Sequence, residues 1–186
     1  RLLSQNKLGY LALLRNLRNM EGAKVDQKLG EGAILARRGA DRVLPFRYVA
    51  AARAAPGFEA ALDKAMLADL SQRPKLAGKM IVVVDVSGSM YGSYMSKQSD
   101  MNRATAAASL AAILRELCEE IRIYATAGND STRVHATKLA PARRGMALID
   151  AIYAQCRPLG GGGIFLKQVM DHLKKEERSA DRIVVV

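Results

Sequence analysis

Asp85, Ser87 and Ser89 stand at alternating positions in the tract Asp85-Val86-Ser87-Gly88-Ser89, where they offer one carboxylate and two hydroxyls. Hard oxygen donors of this kind suit Mg²⁺ or Ca²⁺, and Mg²⁺ would keep several waters in near-octahedral geometry. Gly88 lets the backbone turn tightly between the two serines. The same tract could be an ordinary turn, because Asp, Ser and Gly dominate turns for conformational reasons. Its neighbours favour a site: the apolar run Met80 to Val84 comes directly before it and a long helical pattern follows. Ligands of open α/β sheets bind beyond the carboxyl ends of the strands, which is where Asp85 falls.

Other residues carry weaker chemical signals. Thr105 is either an outer-shell hydroxyl for such a metal or a helix-packing residue, and Asp100 is an N-cap or a ligand. Gly160-Gly161-Gly162-Gly163 could cradle a phosphate, but no Gly-Lys-Ser/Thr follows, so it is not a P-loop. It reads as a flexible wall of a metal cleft. Cys118 and Cys156 fall on predicted helices without Cys-x-x-Cys spacing, so we expect free thiols and neither a disulfide framework nor a zinc site. The sequon Asn129-Asp130-Ser131 would matter only in a secreted chain. For catalysis, an aspartyl-nucleophile phosphatase would want a second carboxylate two residues after Asp85, where Ser87 stands. His135 and His172 look isolated, as surface or packing residues, so a nucleophile with its acid or base is missing. The chain is not expected to be an enzyme.

The elements that must position these residues change character along the chain. From Leu2 to Met20, apolar residues Tyr10, Leu14, Leu17 and Met20 recur at helical spacing, and Gly22 should end that helix. Val25, Leu29 and Ile34 mark a second helix closing at Arg37-Arg38-Gly39. Pro45 opens a short third helix that Pro56-Gly57 interrupts, and Phe58, Leu62, Met66 and Leu70 line a fourth. Ser71 to Gly78 reads as a polar linker. Met80 to Val84 is then a β-branched run suited to a strand buried on both faces of a parallel sheet. A helix is predicted at about 102–120, strands at 121–126 and 134–139, helices at about 143–156 and 165–176, and a buried strand at 182–186. The fold class is α/β, with an all-α segment (1–74) ahead of a mostly parallel, Rossmann-like domain (75–186).

Charge separates the two parts. Residues 1–79 hold 15 Lys+Arg against 7 Asp+Glu, a surplus of +8, whereas residues 80–186 carry +3 of the total +11. Such a surface attracts polyanions by counterion release, nucleic acid being the commonest, although a basic surface with no dedicated partner has the same composition. Arg15, Arg18, Arg37, Arg38, Arg42 and Arg47 are the candidate phosphate contacts; any of them could instead belong to a solvated helix face. With only 5% aromatic residues, base stacking should not dominate. No apolar run is long enough to span a bilayer and no leader pattern opens the chain, so no membrane partner and a cytoplasmic location are expected. The first residue, Arg1, and the final Val184 to Val186 suggest a piece of a longer protein.

At the Asp-x-Ser-x-Ser tract the chain resembles a von Willebrand factor A (vWA) domain, whose metal-ion-dependent adhesion site opens in this way at the end of its first strand. The resemblance implies a Thr from a second loop and an Asp after a later strand. That loop should correspond to Gly160 to Phe165, where Ile164 stands at the usual Thr position, and the later Asp would fall past Val186. The helical part adds specificity. Ala12-Leu13-Leu14-Arg15-Asn16-Leu17 resembles a segment of the TROVE module of Ro proteins, Leu44-Pro45-Phe46-Arg47-Tyr48 is similar to a segment near its end, and the order of last helix, linker and first vWA strand is the same.

The Ro resemblance implies an RNA-binding protein in noncoding-RNA quality control or decay, with small structured (Y-like) RNA on the outside of a helical ring and single-stranded RNA ends in its hole. It also implies a Mg²⁺-type ion at Asp85, Ser87 and Ser89, and a ribonuclease or other protein as a further partner. The alternative is a metal-dependent vWA assembly module that recruits an acidic protein ligand.

Overall fold

A computed structural model describes the chain except for residues 1, 2, 4, 6 and 97–100, so Asp100 lies outside the described residues. The chain divides into two compact units, residues 1–73 and 74–186.

The first unit is all helical: α1 (Tyr10–Gly22), α2 (Gln27–Ala36), α3 (Phe46–Ala54) and α4 (Glu59–Leu70), with 3₁₀ turns at Ala40–Arg42 and Pro56–Phe58. Helix α1 begins at Tyr10, later than expected, after extended Gly9, and buries Tyr10, Leu13, Leu14 and Leu17 along one face. Asp26 caps α2 by accepting from the Lys28 N–H at 2.9 Å. The glycine interrupting α2 has a steric cause: a Cβ on Gly30 would lie 2.6 Å from the Phe58 ring. Arg37 ends α2 in the left-handed region at φ 48°. Leu17, Ile34, Tyr48, Leu62, Met66 and Leu70 are fully buried. Each of these apart from Tyr48 contributes roughly 1.5–3 kcal/mol of apolar transfer. The Tyr10 hydroxyl ties α1 to α2 by donating to the Ile34 carbonyl at 2.8 Å.

The second unit is a four-stranded sheet of order β3-β2-β1-β4 with flanking helices. Its strands are β1 (Leu76–Asp85), β2 (Cys118–Asn129), β3 (Val134–Leu139) and β4 (Arg182–Val185), and its helices α5 (Gly88–Tyr91), α6 (Arg103–Leu117), α7 (Gly145–Tyr153) and α8 (Leu166–Glu176). Central β1 runs parallel to β2 and β4, while β3 is antiparallel at one edge. This is the mostly parallel, Rossmann-like α/β arrangement expected. Met80 to Val84 are all buried, as a strand covered on both faces requires. Ile81, Val83 and Tyr124 pack on Val169 and Leu173 of α8. Alternation sends Val82 and Val84 to the opposite face, where α6 buries a row of small residues, Ala104, Ala107, Ala108, Ala111 and Ala112, against β1 and α7.

Several expectations need correction. The linker is shorter than predicted, because Leu76 to Gly78 already belong to β1. Cys118 opens β2 and is not helical, and Cys156 lies in the turn after α7; both are free thiols, with Cys118 buried and Cys156 half-buried. Strand β4 is not buried: it forms the other edge of the sheet, leaving Ile183 49% and Val185 41% exposed.

At the start of β1 a charged cluster closes on itself. Glu177, just past α8, accepts from Lys79 Nζ at 2.9 Å, from Arg122 Nε at 2.9 Å and from the Tyr124 hydroxyl. Burial pushes the Glu177 pKa up, but hydrogen bonds from Tyr124, Lys79 and Arg122 outweigh it and hold the value down at about 2.

Candidate functional site

At its other end β1 stops at Asp85, which pairs with Thr126 of β2. The Asp85 N–H donates to the Val186 carbonyl at 2.7 Å and the Val86 N–H to the Thr126 carbonyl at 2.9 Å, so strand pairing holds the base of the turn from both sides. The chain then reverses: Ser87 N–H donates to Asp85 Oδ1 at 2.7 Å and Ser87 becomes the N-cap of α5. The Ser87 and Ser89 hydroxyl oxygens lie 3.2 Å apart. Thus the three residues singled out by spacing do converge. Ser87 is buried, Asp85 half-buried and Ser89 exposed, an arrangement open on one side.

The tetraglycine segment sits against this turn. The Gly88 N–H donates to the Gly161 carbonyl at 2.9 Å and the Gly162 N–H to the Gly128 carbonyl at 2.8 Å. Gly160 and Gly161 take φ of 94° and 68°. A Cβ on Gly162 would lie 2.7 Å from the Gly128 carbonyl oxygen, and one on Gly88 2.9 Å from that of Gly161. The glycines therefore serve close backbone approach, in place of the flexible wall expected. Asp130 anchors the loop by accepting from the Gly163 N–H at 2.9 Å, a role that its place in the sequon Asn129-Asp130-Ser131 does not reveal. An Asp directly after a strand end is the signal that could have marked it.

Behind the turn, α5 is fixed to α7 and α6. The Tyr91 and Tyr153 rings pack 4.6 Å apart, and the Tyr91 hydroxyl donates to the Tyr153 carbonyl. Burial pushes the Tyr91 hydroxyl far above its usual pKa, keeping it a neutral donor. Asn102 accepts from Thr105 N–H at 2.8 Å, capping α6, and its amide donates to the Tyr91 carbonyl and the Tyr153 hydroxyl. The cap of α6 is thus Asn102. Thr105 is buried in the first helical turn, its carbonyl accepting from Ser109 Oγ at 2.5 Å.

The donor set at the turn is one carboxylate and two hydroxyls, all oxygen, which fits Mg²⁺ completed by water. Asp85 Oδ1 is engaged by a backbone N–H, leaving its second oxygen for a cation. The glycine loop brings a backbone carbonyl and no hydroxyl, and Ile164 cannot replace the expected Thr as a ligand. Among the described residues, no three His, Cys, Asp or Glu side chains gather in a way that could hold a metal.

The histidines expected to be isolated are neighbours: the His135 and His172 rings lie 5.5 Å apart, between β3 and α8. Burial, and then the His172 charge, lower the His135 pKa.

In the helical unit the six arginines do not form one set. Arg38 and Arg42 flank a groove of about 360 Å³ floored by Gly9 to Ala12 and Val43. Arg15 and Arg47 are exposed on α1 and α3. Arg18 donates from Nε to the Ala54 carbonyl at 3.3 Å, bridging α1 to the end of α3. Arg37 is half-buried and held in its left-handed cap, which makes it the least available of the six. With the observed boundary, residues 1–73 hold 13 Lys+Arg against 7 Asp+Glu, or +6, and residues 74–186 hold 16 against 11, or +5. The helical unit remains the more basic per residue, by less than the 1–79 count suggested.

No family model matches the chain, and no curated protein matches it. Among solved structures, the RO (RSR) protein of Deinococcus radiodurans matches with a TM-score of 0.67 at 15% sequence identity, over 97% of this chain and 40% of that one. The similarity shows a shared fold, helices followed by an α/β unit. The chain spans 40% of the length of the structure it matches. No helix among the described residues is long and apolar enough to cross a membrane.

Proposed function

We propose that this chain is part of a Ro-type RNA-binding protein, taking small structured noncoding RNA and single-stranded RNA ends in noncoding-RNA quality control or decay in the cytoplasm. The observation that carries this reading is the likeness to the Deinococcus Ro structure along nearly the whole chain. The basic surplus in the helical unit and the exposed Arg15, Arg38, Arg42 and Arg47 suit phosphate contacts. The helical unit would be the end of the TROVE module. The reading assigns no catalytic step to this chain.

Asp85, Ser87 and Ser89 would hold Mg²⁺, whose chemistry here is to present an open coordination position to an anionic ligand. The chain's own residues set the geometry: Asp85 is fixed by strand pairing, Ser87 by its N-cap position, and Ser89 by the α5 contacts of Tyr91. This arrangement favours a second role compatible with the first, recruitment of a protein, a ribonuclease among the candidates, through an acidic side chain.

Binding of the full protein to a small structured RNA and to single-stranded RNA, measured across a salt series, tests the RNA reading. Arg38→Ala with Arg42→Ala should weaken binding and reduce the salt slope by about 1 per lost phosphate contact. An absence of binding at physiological salt would leave only the protein-recruiting role.

A further inference from the structure

We propose that His135 and His172 form a binding site for a borderline transition-metal dication of the zinc class, distinct from the oxygen site at Asp85. The two residues come from different elements, β3 and α8, and are 37 positions apart in the chain.

Three observations place them as a pair of ligands. The first is spacing. An imidazole nitrogen lies about 1.1 Å from its ring centre and bonds zinc at about 2.0–2.1 Å, so two rings sharing an ion at a tetrahedral angle have centres about 5.2 Å apart. The observed separation is 5.5 Å, with the planes tilted by 56° and not stacked. The second is the state of the nitrogens. His135 Nδ1 is engaged with Thr137 Oγ1 at 2.9 Å, which leaves Nε2 to serve as the ligand. A hydrogen bond to the far nitrogen is what fixes the tautomer and orientation of most metal-bound histidines. Among the described residues His172 makes ring contacts with Tyr124 and His135, and its nitrogens have no hydrogen-bond partner.

The third is rigidity. Gln168, one turn before His172 on α8, accepts from the His135 N–H at 2.9 Å and donates to the Arg133 carbonyl at 2.9 Å. This clasp docks α8 against β3 and so sets the two rings opposite each other before any ion arrives. Both rings are half-buried, so solvent reaches the site. No third His, Cys, Asp or Glu joins them among the described residues, and water would complete the coordination. Neutral imidazole prefers zinc, nickel or copper ions, whereas carboxylate and hydroxyl oxygens prefer Mg²⁺, so metal type separates the two sites.

Zinc chloride titrated into the full protein against a chromophoric chelator reads the site directly. His135→Asn and His172→Asn should each remove one bound ion per chain, while Cys156→Ser leaves the zinc count unchanged. Thr137→Val should weaken the site about tenfold, as loss of an orienting partner does. A zinc count unchanged by both histidine substitutions, or no uptake up to about 1 mM zinc, would overturn the assignment. A second readout avoids substitution: sub-stoichiometric Cu²⁺ should broaden the imidazole resonances of His135 and His172 first. Broadening confined to other residues would equally overturn it.

Discussion

The two ends of β1 carry opposite kinds of polar chemistry. At its start, Lys79 meets Glu177, which also takes Arg122 and Tyr124, so a carboxylate with a side chain only 7% exposed has donors on every side. At its finish, Asp85 accepts one backbone N–H, and the two hydroxyls beside it lie against each other, that of the exposed Ser89 at the surface. One strand thus bears a saturated cluster, which contributes to folding, and an unsaturated one, where the proposed cation would bind. Buried polar groups are held to a strict hydrogen-bond accounting, and where donors are withheld from a carboxylate the geometry favours binding over stability.

The comparison breaks most readily at Glu177. Glu177→Ala should lower stability by about 2–3 kcal/mol in urea unfolding, because it removes the acceptor that Lys79, Arg122 and Tyr124 share and leaves Lys79 with Glu120 alone. The pH dependence follows from the lowered pKa. A carboxyl at about 2 in the folded chain and near 4.3 unfolded contributes fully above the unfolded value. That contribution falls away as the pH drops through 4.3 towards 2. Stability followed by circular dichroism should therefore decline over that window, and less so in Glu177→Gln.

A smaller effect belongs to the glycine loop. Gly162→Ala sets a Cβ against backbone at Gly128 and should cost about 1–3 kcal/mol, the range of overpacking, measured by thermal unfolding. Smallest of all is Asp85→Ala without metal, which removes one side-chain acceptor and should cost about 1 kcal/mol or less. The asymmetry sharpens when Mg²⁺ is added: the unsubstituted chain should gain about 2.7 kcal/mol at a hundredfold excess over Kd, and Asp85→Ala nothing. Equal stabilisation of both would show that the turn does not hold the ion.

The same two ends explain what could be read from sequence. The turn was legible because everything that defines it is local: a buried β-branched run, then Asp, Ser, Gly and Ser in five residues. The cluster at Lys79 was not, since Glu177 comes from the far side of α8 and no spacing links it to Lys79 or Arg122. Cys118 went to the wrong element for a related reason. Cys118-Glu119-Glu120 continues a helical composition, and only pairing with β1 turns it into strand, where Glu119 accepts from the Gly78 N–H and Glu120 lies 3.5 Å from Lys79. The histidines seemed isolated because sequence separation hides the β3 to α8 contact. Apolar periodicity marks all four helical pieces, though the first starts at Tyr10 and not near Leu2, whereas the grouping of the arginines depends on turns that periodicity does not describe.

Surface connections usually absorb insertions and substitutions with little penalty. Residues 160–163 should not, since their backbone wedges between Gly88 and Gly128, with no room for a Cβ at Gly160 or Gly162 and with Gly160 and Gly161 held at positive φ. In a saturation library scored for folded protein, this solvent-facing stretch should show the mutational intolerance of an interior helix. Lengthening it by even one residue would shift the start of α8 relative to the Asp85 turn, so its length acts as a gauge that sets how far apart the two may stand.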